Sequence, residues 1–170
     1  MPLEQAFVAV SKSLHDLKSF DCGKPTVNIF LTKFAEKHGK LGLSRTYVLP
    51  ELTESGKAPV AAYFTLTTSN VTREQMPTKQ SLPHYPVPVV LMARLAVDSR
   101  RKGTGLGGKT LVYALREAVA LSQAGLPSFG LILDVLDEDA LGFYQHFDLF
   151  EPFTGDPMRL FASMKTLKQI

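Results

Sequence analysis

The stretch VVLMARLAVDSRRKGTGL, Val89 to Leu106, constrains this chain more than any other: an apolar run breaks into basic residues, then glycines, then a long amphipathic segment. Val89, Val90, Leu91 and Met92, followed by Leu95 and Val97, supply the aliphatic and β-branched side chains of a buried strand that ends near Asp98. Gly103, Gly105, Gly107 and Gly108 lack Cβ, so the backbone can take positive φ there and gather successive N–H groups into an anion-binding nest. Helical periodicity begins at once. Leu111, Leu115, Ala118 and Val119 share a face, and the pattern ends at Gly125 with Pro127 beyond. The nest thus falls at a helix N-terminus, where free N–H groups and the macrodipole favour negative charge by roughly 0.3–1 kcal/mol per interaction. Arg100, Arg101 and Lys102 add full positive charges, and the whole reads as a phosphate-binding turn.

Gly103, Gly105 and Gly108 also satisfy GxGxxG, the dinucleotide fingerprint, with Asp134 at the end of the next apolar run as a candidate ribose-binding acid. A dinucleotide-binding strand feeds almost directly into its first glycine and opens a longer series of βαβ units. Here a polar, basic segment intervenes and too little chain follows, which disfavours that reading.

With 170 residues, 45% of them hydrophobic and 21% charged, the chain has material for one sizeable core, and a single domain over residues 1–170 is expected. Cys22 is the only cysteine, so no intramolecular disulfide or cysteine metal framework can form, HExxH is absent, and no metal site is expected. No apolar run approaches the roughly 20 residues that span a bilayer. The start MPLEQAFVAV lacks the basic opening of a signal peptide, so a soluble cytoplasmic protein is expected. The formal net charge of +3 is unevenly spread: Lys33, Lys37, Lys40 and Arg45 cluster early and Arg94 to Lys102 lie mid-chain, while the last third is acidic. Such clusters can attract a polyanion, although lysines that merely solvate an exposed face are the simpler explanation.

Taken in order, the chain opens with a strand candidate at Ala6 to Val10 and a turn at Phe20-Asp21-Cys22-Gly23. Val27, Phe30, Leu31 and Phe34 recur at helical spacing after Pro25, which predicts a helix to about Lys37 with Gly39 just past its end. Arg45 to Leu49 and Val60 to Leu66 read as an antiparallel hairpin. Ser69 to Pro88, with its repeated prolines, reads as an extended surface excursion. After the central strand, turn and helix, Phe129 to Val135 reads as a second buried strand and Asp137 to Phe147 as a short helix with Asp137 at its N-cap. Parallel strands joined by a crossover helix, with a hairpin upstream, imply an α/β domain on a mixed sheet.

Arg100-Arg101-Lys102-Gly103-Thr104-Gly105 fits the R/Q-x-x-G-x-G/A signature of the GNAT acetyltransferase superfamily. FDCGKPTVNIFLTKFAEKHGKLGLSRTYVL, ARLAVDSRRKGTGLGGKTL, ALGFYQHF and DPMRLFASMKTL, in that order, extend the match, and the chain resembles the GNAT toxins of bacterial type II toxin–antitoxin modules. The resemblance implies a GNAT fold, a mixed central sheet flanked by helices whose two parallel central strands splay apart. It implies acetyl-CoA as donor, its pyrophosphate on the turn Arg100 to Gly107, including Thr104 and Leu106, and its pantetheine arm beside the backbone of Leu95, Ala96 and Val97, near Phe143. It also implies that Tyr144, the tyrosine of the AxxFY pattern, is the catalytic residue. Two departures stand out. Asp148-Leu149 replaces a common Gly-Phe after the helix, and Asp137 stands where many GNAT proteins carry a pantetheine-contacting asparagine.

The chemistry requires little of the protein. Attack by a neutral amine on a thioester releases a thiolate whose conjugate acid has a pKa of about 8.5, and a tyrosine O–H near 10 can supply a hydrogen bond or proton to it. Positioning of amine and thioester supplies most of the acceleration. No carboxylate stands out as a base, so an α-amine with a pKa of about 7.7–8.0 suits the site better than a lysine near 10.4. The acceptor that the resemblance implies, the α-amine of an aminoacyl-tRNA, meets that requirement. Lys33, Lys37, Lys40, Arg45 and Arg94 are then candidate tRNA contacts. A ribbon-helix-helix antitoxin, operator DNA reached through the antitoxin complex, and a homodimer are the implied partners. A GNAT enzyme of another amine, or a noncatalytic acetyl-CoA-binding module, are the alternatives.

Overall fold

The computed structural model describes residues 2–78 and 80–170. Its strands form a mixed eight-stranded sheet accompanied by helices. The chain divides into two compact units, residues 1–67 with 94–114, and 68–93 with 115–170.

In the first unit, β1 (Val8–Ala9) pairs antiparallel with β3 (Arg45–Pro50), and β3 pairs antiparallel with β4 (Ala58–Val71) through the register Arg45↔Leu66 to Pro50↔Val60. The predicted hairpin is therefore present, but β4 runs five residues past Leu66. Its far end alternates between exposed and half-buried positions, and its polar Thr-Thr-Ser-Asn composition hides a strand from a reading based on apolar runs. A short β2 (His15–Asp16) lies parallel to the start of β4.

The predicted helix is in fact three joined pieces: α1 (Pro25–Ile29), a π-helical turn (Phe30–Phe34) and α2 (Ala35–Leu41). The Ala35 N–H reaches back to Phe30 O, one residue farther than an α-helical bond, and this advances the phase of the buried face. Phe34, expected to share the core face with Phe30 and Leu31, is 39% exposed, while Ala35 takes the buried position. The helix also runs through Gly39. Its stop is Gly42, in the left-handed conformation at φ 78°, with the Gly42 N–H bonded to Gly39 O and the Leu43 N–H to His38 O. One core of this unit gathers Phe20, Val27, Phe30, Leu31, Ala35, Val48, Val60 and Tyr63. The Tyr63 hydroxyl is satisfied there by donating to Val27 O at 2.7 Å.

The second unit takes in β5 (Val87–Val97) as far as Ala93, with Arg94–Val97 in the first unit, and then β6 (Gly130–Asp134), β8 (Asp156–Ser163) and β7 (Glu151–Phe153), in that spatial order. β5 and β6 are parallel, as expected, and their pairing is confined to Val89↔Gly130, Val90↔Leu131 and Leu91↔Ile132. Leu133 and Asp134 continue β6 against β8 alone, which is the splay of the two central strands. β7 and β8 had no counterpart in the sequence reading, because Pro152 and Pro157 punctuate them and their ends are polar. Gly130 is required by close approach: a Cβ there would lie 2.5 Å from both Ala162 O and the Phe161 ring. Helix α3 (Leu106–Ala124) follows the glycine turn, and α4 (Glu138–Gln145) and α5 (Met164–Leu167) complete the chain. Among the described residues no helix is long and apolar enough to cross a membrane.

Candidate active site

At the end of β5, Asp98 is 2% exposed and organises everything that follows. Its carboxylate accepts from the Arg100 N–H at 3.0 Å, from Arg100 Nε at 2.9 Å and from the Asp21 N–H at 3.2 Å. Burial alone would raise its pKa, but these donors outweigh it and hold the carboxyl below the usual range. A second buried carboxylate, Glu51 at 3% exposure, receives Arg101 at 3.0 Å and lies 3.6 Å from Arg100. Lys102 Nζ donates to Cys22 O at 2.9 Å, and the Ser99 N–H to Asp21 O at 2.8 Å. The three basic residues expected to meet the cofactor thus first bind their own protein, fixing a one-turn 3₁₀ helix (Ser99–Arg101) ahead of the glycines.

Gly103 and Gly105 have φ of 81° and 83°, the conformation expected of a nest, whereas Gly107 and Gly108 lie inside the first turn of α3. The nest is therefore narrower than the four glycines suggested. The Lys109 N–H bonds to Gly105 O, so the N–H groups of Leu106, Gly107 and Gly108 are the intrahelically unpaired ones of the first turn. Among the described residues, nothing but the chain neighbours lies within 4 Å of the position a Cβ would take at Gly103 or Gly105, which leaves the turn open to a ligand. Such a turn fits a pyrophosphate: positive-φ backbone, free amides, a helix N-terminus and surrounding positive charge coincide. Leu95, Ala96 and Val97 are the last residues of β5, Ala96 buried and the other two half-buried.

In the second unit, Asp137 caps α4 as predicted, its side chain accepting from the Ala140 N–H at 2.9 Å. Phe143 and Tyr144 sit on α4, Tyr144 only 8% exposed, with the Phe143 ring at 5.1 Å and the Phe150 ring at 5.8 Å in edge-on contact. Burial pushes the Tyr144 hydroxyl above the ordinary phenol value, so it stays protonated over the whole physiological range. Tyr144 makes no side-chain hydrogen bond among the described residues. After α4, Asp148 takes φ 52°, so the turn a glycine would ease is preserved with an aspartate in it. Asp134, the acid of the dinucleotide reading, holds Arg159 at 2.7 and 3.0 Å across the β6–β8 register, which removes it from that role.

Lys33, Lys37 and Lys40 are exposed along the π turn and α2, Lys40 bonded to Glu36 at 2.9 Å. Arg45 is exposed beside the Tyr47 ring. Arg94 lies with its guanidinium 3.6 Å from the centre of the Phe30 ring, which brings it to the same π turn as Lys33. Sequence reasoning missed the anchors Asp98 and Glu51. Asp98 could have been found as a lone acid closing a buried strand, but Glu51 meets an arginine 50 residues away and gives no local sign.

No protein-family model matches the chain. A curated relative, the tRNA-acetylating toxin of Mycobacterium tuberculosis, is 32% identical over 160 residues, 91% of this chain and 90% of its own. Among solved structures, a KacT variant superposes with a TM-score of 0.88 at 24% identity over 99% of both chains. AtaT complexed with acetyl-methionyl-tRNAfMet gives 0.86 at 27% identity over 96% of this chain and 97% of that one. An AtaT variant bound to the C-terminus of its antitoxin AtaR and acetyl-CoA gives 0.79 at 25% identity over 96% of each. Matched over nine-tenths of its length to a tRNA-acetylating toxin, and superposing on KacT and AtaT over nearly the whole of each chain, the chain belongs to the GNAT-type acetyltransferase toxins of toxin–antitoxin systems.

Proposed function

We propose that this protein moves the acetyl group of acetyl-CoA to the α-amine of an aminoacyl-tRNA and so withdraws the charged tRNA from translation. The observation that carries the reading is the 32% identity to a tRNA-acetylating toxin across nearly the whole chain. The preorganised glycine turn and the reserved Tyr144 hydroxyl support it. Residues 1–170 act as one catalytic domain. Acetyl-CoA supplies an activated acyl group as its thioester. Arg100, Arg101 and Lys102 shape the turn, and the backbone of Gly103 to Gly107 receives the pyrophosphate. Leu95, Ala96 and Val97 offer backbone groups to the pantetheine arm, and Asp137 and Phe143 border it. Tyr144 holds a proton at Oη for the departing sulfur. Lys33, Lys37, Lys40, Arg45 and Arg94 contact the tRNA backbone, so affinity falls with salt.

An antitoxin is the natural partner, since AtaT is known bound to one. We assign it the ribbon-helix-helix class, with operator DNA reached through the complex, a homodimeric toxin and a cytoplasmic site of action. Incubation of the purified protein with acetyl-CoA and a pool of charged tRNAs, followed by mass spectrometry of the aminoacyl adenosines, tests the reaction and its acceptor together. An acetylated aminoacyl adenosine is expected. Bound acetyl-CoA without any such product would overturn the assignment of acceptor.

A further inference from the structure

A second basic constellation lies in the first unit, apart from the lysines of α2. β2 is held against the start of β4 by the Ala58 N–H, which donates to Leu14 O at 3.0 Å, and by the parallel pairs His15↔Ala58 and Asp16↔Pro59. This pairing gathers Lys12, Lys18 and Lys57 around a cavity of about 230 Å³ that His15, Asp16 and Thr32 also line. Cavities that envelop a drug-sized ligand run to roughly 300–1,000 Å³. This one therefore suits a single charged group and its attachments rather than a whole nucleotide.

Its charge points to an anion. Three lysines and a single carboxylate, Asp16, are in its lining, and Asp16 accepts from the Ser19 N–H at 3.3 Å. The nearby Glu36 is spent on Lys40 and on the backbone N–H of Lys12. The Lys18 and Lys57 ammonium groups have no hydrogen bond or ion pair among the described residues, while the Lys12 charge acts on Glu36, which Lys40 shares, so the cavity keeps a net positive charge. His15 is 4% exposed and its Nδ1 accepts from the Ser11 N–H at 3.1 Å. That bond leaves the ring proton on Nε2, making His15 a neutral donor in the cavity wall. Burial depresses the pKa of this imidazole, so the ring does not repel the lysines. Asp16 also interacts electrostatically with Arg100. Lysine ammonium groups are point charges that bind phosphate oxygens without demanding a bidentate geometry.

We infer that the cavity between β2, the π turn and the start of β4 is a seat for a phosphate ester, separate from the pyrophosphate seat of the glycine turn. The inference rests on the proposed function for its two available sources, the 3′-phosphate of coenzyme A and a phosphodiester of the tRNA. Lys18 and Lys57 are exposed, so their removal leaves the core intact.

The test is the double variant Lys18→Ala/Lys57→Ala. Calorimetry with acetyl-CoA and with 3′-dephospho-acetyl-CoA reads the first source, and filter binding of deacylated tRNA over a range of salt reads the second. If the 3′-phosphate is the occupant, the variant binds acetyl-CoA about tenfold more weakly and no longer distinguishes it from the dephospho form. If the tRNA is the occupant, acetyl-CoA affinity is unchanged, tRNA binds about tenfold more weakly and the salt slope falls by about one. Wild-type affinity for all three ligands, or an equal loss for acetyl-CoA and its dephospho form with tRNA unaffected, overturns the seat. The calorimetric arm needs no turnover, so an inactive acceptor assay would fail the proposed function without deciding this question.

Discussion

In the glycine turn every charged side chain is tied to the protein itself, whereas on α4 the one chemically capable hydroxyl is held in reserve. Asp98, Glu51 and the Cys22 carbonyl engage Arg100, Arg101 and Lys102, so the turn holds its shape before any ligand arrives. Tyr144 is buried against Phe143 and Phe150 and spends its O–H on no protein group among the described residues. Tyr63 makes the point by contrast. It is fully buried and its hydroxyl is likewise pushed up by burial, yet it bonds to Val27 O and serves the core. In the proposed function, binding draws on backbone fixed by satisfied charges, and chemistry on a donor left unsatisfied.

Removing the reserved donor is expected to have the largest effect. Tyr144→Phe should lower single-turnover acetyl transfer by about 10²–10³-fold, the scale of one positioned acid, while acetyl-CoA affinity stays within about twofold. Equal transfer by both proteins would break the comparison.

Next comes the anchor of the turn. Asp98→Ala strips acceptors from two backbone N–H groups and should cost about 2–4 kcal/mol in denaturant unfolding, with weaker acetyl-CoA binding in calorimetry. The same carboxylate sets an acid limb. Its folded pKa lies below the unfolded value, so its contribution is complete above the unfolded pKa of about 3.9 and is lost as pH falls through the folded value. Asp98→Asn should flatten that part of the stability profile, and an unchanged acid limb would assign it to other carboxylates.

Gly105→Val places a β-branched residue at φ 83° and should cost about 1–2 kcal/mol, felt in cofactor affinity more than in transfer from the bound complex. A fall in the bound-complex rate alone would show the turn to act in chemistry as well as binding. The smallest change is Asp148→Gly after α4. Relief of left-handed strain, less the added freedom of the unfolded chain, should raise stability by about 0.5 kcal/mol and leave Tyr144 chemistry untouched.

The parts of this molecule that obey local rules were readable in its sequence. Val89 to Val97 lies wholly within a strand, Leu106 opens a helix, and Asp137 caps one, because strand composition, glycine conformation and capping are decided within a few residues. Phe34 departs from the helical pattern because a π turn changes the period, and nothing in PTVNIFLTKF announces the extra residue. Glu51 was invisible for a different reason. Its burial is tolerable only through arginines supplied from the far side of the sequence, so its role exists in the fold and nowhere in its own neighbourhood.

The clamp on the glycine turn also sets an order of events. Asp21 reaches Asp98 across 77 positions and Lys102 reaches Cys22 across 80. Closing such a loop is entropically costly and slow compared with local pairing, so the anchors of the glycine turn are expected to form after the local elements. A chain emerging from the ribosome carries α1, the π turn and the β3–β4 hairpin well before it carries the residues that fix the seat. If the turn is the donor seat, as proposed, its binding geometry depends on contacts between the two ends of this stretch of chain rather than on the local elements alone.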